Sequence, residues 1–122
     1  MRTFNSVALA AVSALALMIA GPAFAHARLV SSNPADNATV EAPPATIVLT
    51  FNEKLVAAFT KVDLTMPAHG MKVAASSAAT SDGKTLVVTP ARPLGNGAYK
   101  LVWSTASADG HKMSGEIDFT VR

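Results

Sequence analysis

The strongest constraint on this chain is a recurrence of apolar side chains at every second residue. Glu116-Ile117-Asp118-Phe119-Thr120-Val121 alternates strictly, with Ile117, Phe119 and Val121 on one side. Residues 46–51 place Ile47, Leu49 and Phe51 on one face, and residues 99–104 alternate in the same manner. Successive side chains of a strand point to opposite faces, so this period marks strands with one buried and one wet face. Weaker candidates lie at residues 28–32, 60–65, 71–75 and 85–89. Turn-forming residues separate them: Asn33-Pro34, Pro43-Pro44, Asp82-Gly83, Gly95-Asn96-Gly97 and Asp109-Gly110. About seven short strands with frequent turns and no helical period predict an all-β fold, a small antiparallel sandwich or barrel. The alanine-rich stretch 74–79 is compatible with a helix, but Ser76-Ser77 and the nearby Asp82-Gly83 fit a loop better.

Residues 1–25 do not share this pattern. Arg2 supplies a positive charge, residues 7–20 carry none, and Gly21-Pro22 precedes Ala23-Phe24-Ala25. A basic start, a short apolar run and a small-x-small site describe a secretory signal peptide. The run is shorter than the roughly 20 residues a membrane span needs, so a cleaved leader is expected rather than an anchor. The mature chain, residues 26–122, is then one soluble domain. Removing Arg2 takes one from the ten basic residues, against eight acidic ones, so charge points to neither nucleic acid nor an anionic membrane. Cysteine is absent. The domain must therefore hold by packing, and any metal must use nitrogen, oxygen or thioether ligands.

Three histidines remain as candidates for chemistry. His26 becomes the first residue if cleavage follows Ala25. Its α-amine and ring Nδ1 can then chelate one ion, once the amine has lost its proton. Asp109-Gly110-His111 lies between two predicted strands. In an extended segment, Asp109 and His111 would face the same way, while Gly110 lets the backbone come close. Taken alone, the tripeptide reads as readily as an Asp-Gly turn followed by a surface histidine. Three nitrogens and a carboxylate suit tetragonal Cu(II), although zinc takes the same donors. Met66-Pro67-Ala68-His69-Gly70-Met71 falls in a predicted loop, and two thioethers around an imidazole form a soft set suited to Cu(I). The two methionines serve equally well as loop anchors.

Four segments in order resemble the CopC family of periplasmic copper-resistance proteins. They are residues 26–34 (HARLVSSNP), 49–55 (LTFNEKL), 93–99 (PLGNGAY), and Trp103 through Ser107-Ala108-Asp109-Gly110-His111 to Gly115. The resemblance spans the mature chain and implies an immunoglobulin-like Greek-key β-sandwich. It also implies a Cu(II) site of His26, Asp109 and His111, with Glu53 as an acidic residue beside it. The family's methionine-rich Cu(I) loop is thinned here to Met66, His69 and Met71. Trp103 would lie on the strand leading into the Cu(II) site, where copper could quench its fluorescence.

The expected function is a non-catalytic periplasmic copper carrier that buffers copper or passes it to a partner such as an inner-membrane copper permease. Two alternatives belong to other classes. Polysaccharide monooxygenases also bind copper through an N-terminal histidine, but need open equatorial positions for oxygen and a broad face for glycan. This chain is short, has one Trp and one Tyr, and carries Asp109 where oxygen would bind. A metal-free structural sandwich is the other alternative, and predicts that replacing His26, Asp109 or His111 changes no binding property.

Overall fold

A computed structural model describes residues 28–122. The leader and His26 lie outside the described residues. The described residues form nine strands: β1 (Leu29–Asn33), β2 (Ala38–Val40), β3 (Ile47–Phe51), β4 (Lys61–Met66), β5 (Met71–Val73), β6 (Ala75–Ala79), β7 (Thr85–Pro90), β8 (Gly97–Ala106) and β9 (Lys112–Val121). They build a four-stranded sheet, β1-β3-β7-β6, and a five-stranded sheet, β2-β9-β8-β4-β5. All pairings are antiparallel except that of β2 with β9. Along the described residues the chain changes sheet after β1, β2, β3, β5 and β7, which builds the expected immunoglobulin-like sandwich. Among the described residues no helix is long and apolar enough to cross a membrane.

The strictly alternating segments supply the centre. Ile47, Leu49 and Phe51 of β3, Leu101 and Trp103 of β8, and Ile117, Phe119 and Val121 of β9 are buried together between the sheets. Without a disulfide, aromatic pairs knit this core. The Phe51 and Trp103 rings meet edge to face at 5.0 Å, and Tyr99 stacks on Phe119 at 5.4 Å. The Tyr99 hydroxyl donates to the Gly95 carbonyl at 2.8 Å. That bond ties the start of β8 to the turn before it, as the tyrosine corner does in immunoglobulin-like sandwiches.

One sequence expectation is overturned. Residues 75–79 form strand β6, neither loop nor helix, paired with β7 from Ala75↔Pro90 to Ala79↔Leu86. Its side chains are mostly exposed, so backbone pairing rather than a buried face holds it to the sheet.

Trp103 faces Gly115 across the β8–β9 ladder. A Cβ at Gly115 would lie 2.6 Å from the indole Cζ2 and 2.9 Å from Cε2. The glycine therefore makes room for the ring. The indole Nε1–H is buried and has no hydrogen-bond partner among the described residues.

Candidate metal centre

The β8–β9 ladder ends at Ala106↔Lys112, and residues 107–111 close the connection. Gly110 donates its N–H to the Ser107 carbonyl at 2.9 Å, and Ser107 donates to the His111 carbonyl at 3.1 Å. Gly110 has φ 91°, a left-handed conformation that favours glycine. Of the two geometries open to Asp109-Gly110-His111, the tight turn is thus the one that forms. The two side chains nevertheless meet, because the turn folds one back on the other.

The His111 Nδ1 lies 2.9 Å from Asp109 Oδ2. Asp109 Oδ1 accepts from the Ser107 hydroxyl and, at 3.2 Å, from the His111 backbone N–H. Hydrogen bonding to the ionised form favours it. The Ser107 hydroxyl first, then the His111 N–H, hold the Asp109 carboxyl down to about 2. At neutral pH the pair therefore offers a permanent anion beside an imidazole, each roughly half exposed.

Ser107 is the residue that sequence reasoning missed. It is 3% exposed and bridges to Leu55. Beneath the turn, Val56 donates to the Ala106 carbonyl at 3.0 Å, and the Thr60 and Thr105 hydroxyls bond to each other at 2.8 Å. The platform under Asp109 is thus rigidly bonded, while its side chain reaches solvent. In Ser107→Ala the Asp109 pKa should rise from about 2 toward the ordinary 3.9, read by NMR titration. The sign for stability follows: the carboxylate's contribution is complete above about pH 3.9 and is lost as pH falls through about 2. The Ser107→Ala protein should therefore lose less stability than wild type over that acid window.

The described chain enters the fold at the same end. Arg28 donates its N–H to Asn52 Oδ1 at 2.6 Å and accepts from the Asn52 N–H at 3.1 Å. Three residues beyond Asn52, Leu55 bridges to Ser107. Glu53 lies half-buried in this connecting segment. Among the described residues, Asp109 and His111 come together, and no group of three or more His, Cys, Asp or Glu side chains forms a metal cluster.

The Met66–Met71 segment is a hairpin rather than an open loop. Met66 ends β4, Met71 begins β5, and the two are cross-strand partners. Pro67–His69 forms a 3-10 turn, which Gly70 closes at φ 60°. Directly opposed residues share a face, so the two methionine side chains leave the hairpin on one side, with His69 at the turn. Met71 is 54% exposed, whereas Met66 packs against the core. The Met66 methyl lies 2.6 Å from where a Gly97 Cβ would sit. This set flanks the start of β8, and Asp109 and His111 follow its end, so about 30 Å of strand separates them.

The CopC domain model matches residues 29–122. The chain belongs to the CopC family. A copper resistance protein C from Xanthomonas campestris pv. juglandis is 45% identical over the whole of both chains. PcoC, described as a methionine-rich copper resistance protein from Escherichia coli, superposes with a TM-score of 0.73 at 39% identity, covering 80% of this chain and 100% of its own. CopC from Methylosinus trichosporium OB3b gives 0.72 at 25% identity, covering 79% of this chain and 93% of its own. These matches make it a copper-resistance family member with the fold of its solved relatives.

Proposed function

We propose that this CopC-family chain is a periplasmic copper carrier. It holds Cu(II) between the N-terminal His26 of the processed protein and the Asp109–His111 pair. The observation that carries this reading is the carboxylate fixed by Ser107, 2.9 Å from the His111 ring, at the end of the sandwich where Arg28 is anchored. Two residues of chain limit the Cα of His26 to about 7 Å from that of Arg28, which supports its reaching this end. The α-amine and Nδ1 of His26, a nitrogen of His111 and the Asp109 carboxylate make a nitrogen-rich donor set. Cu(II) stands highest in affinity among first-row divalent ions at such sites. The leader sequence supports export, and an inner-membrane copper permease is the proposed recipient.

The carrier reading is favoured over an oxygen-activating enzyme because Asp109 remains anionic and would fill a position that oxygen needs. Oxidation of chitin or cellulose by the copper-loaded protein with added reductant would overturn it.

Metal and proton compete for the same nitrogens, which gives a direct test. Free α-amines titrate near 7.7–8.0 and free imidazoles near 6.5, whereas Asp109, held at about 2, is ionised throughout that range. Cu(II) affinity should therefore fall steadily from about pH 8 to pH 5, with the nitrogens and not the carboxylate setting the slope. Titration followed by Trp103 fluorescence checks this. A pH-independent affinity over that range would contradict the amine–imidazole site.

A further inference from the structure

Beside the Asp109–His111 turn, a groove of about 520 Å³ opens at the end of the five-stranded sheet. Phe59 and Met113 give it apolar walls, Ser104 and Ser114 add hydroxyls, and Lys61 and Lys112 supply two ammonium groups. The pairings Lys61↔Ser104 and Ser104↔Ser114 put three of these residues in one row across β4, β8 and β9. Lys112 follows His111 directly, and Ser104 stands three residues, about 10 Å of strand, before Ser107.

Two features separate this groove from ordinary surface. Phe59 is 57% exposed on a short 3-10 turn, so its ring is open to a partner at the groove. Elsewhere on the same sheet, Lys72 pairs with Asp63 at 3.1 Å and Lys100 with Glu116 at 3.0 Å. Lys61 and Lys112 form no ion pair among the described residues, and no acidic side chain lines the groove. Farther along this sheet the acidic side chains Asp63 and Glu116 already hold Lys72 and Lys100, so the cations left for an anionic chain lie at the end beside His111.

We infer that this groove docks an acidic segment of the protein that exchanges copper with this chain, seating an apolar side chain of that segment against Phe59 and Met113. The inference rests on the copper-carrier reading. In transfer by ligand exchange, donor and acceptor ligands hold the ion together for a moment. The partner must then touch the surface immediately around His111, and this groove is part of that surface. Opposite charge there would speed encounter and fix orientation without burying a charge beside the metal.

The probe is a short synthetic peptide rich in Asp and Glu with one central leucine, added to ¹⁵N-labelled, metal-free processed protein. Amide shifts are expected at Phe59, Lys61, Ser104, Lys112 and Ser114, weakening with added salt. The Lys61→Glu/Lys112→Glu variant should bind the peptide at least about tenfold more weakly while binding Cu(II) as wild type does. Equal peptide affinity in that variant, or shifts elsewhere on the molecule, would overturn the docking surface. So would these shifts arising only with phosphatidylglycerol vesicles, or from self-association without peptide. Failure of wild type to bind Cu(II) would instead remove the carrier reading, and the peptide result would be read separately.

Discussion

One extra residue ahead of His26 should lower Cu(II) affinity by about 100-fold. The extension converts the α-amine into an amide, so the terminal chelate loses a basic nitrogen while the imidazole stays in place. Losing a group that merely orients a metal ligand costs 10–100-fold, so losing a donor belongs at the upper end of that range. On the proposed reading, cleavage after Ala25 is part of function, because removing the leader would also finish the site. Competition against a chromophoric chelator, with processed and extended proteins side by side, measures the difference. Equal affinities would show that the amine is not a ligand, and the mature terminus read by mass spectrometry secures the comparison.

The second large effect is on stability. Gly115→Ala should cost about 3 kcal/mol, because its Cβ would come within 2.6 Å of a buried indole that has nowhere to retreat. For a domain of this size that corresponds to a drop of roughly 10–20 °C in the thermal midpoint. Trp103 fluorescence should also shift as the ring loses its edge-to-face contact with Phe51. Gly95→Ala is the control. Nothing lies within 4 Å of its Cβ position, and its carbonyl remains to accept from Tyr99, so it should stay within about 0.5 kcal/mol of wild type. Similar midpoints for both variants would mean that the Trp103–Gly115 contact does not limit packing.

The fold was legible where one face of a strand is buried. β3, β8 and β9 each carry alternating large apolar residues, and they meet in the core. β6 was not legible, because its Ala and Ser side chains are mostly exposed and only its hydrogen bonds to β7 make it a strand. β2 is too short, at three residues, to show a period, and it pairs in parallel with a strand about eighty positions away. The site was legible in part. Asp109 and His111 are two residues apart and do meet, but through a left-handed turn at Gly110 rather than along an extended strand. Ser107 was legible only as part of the family-like segment and not for a role of its own, which its burial and its bond to Asp109 reveal. Lys61 and Lys112 lie far apart in sequence, and the β4–β8–β9 ladder brings them to one groove. His26 lies outside the described residues, and its role rests on the leader pattern and on where Arg28 is held.

Electron paramagnetic resonance of the processed protein with one equivalent of Cu(II) tests the central claim most directly. A tetragonal spectrum with nitrogen hyperfine structure is expected, abolished in His26→Ala and altered in both Asp109→Ala and His111→Ala. A wild-type spectrum that persists unchanged in the His111→Ala and Asp109→Ala proteins would contradict the site.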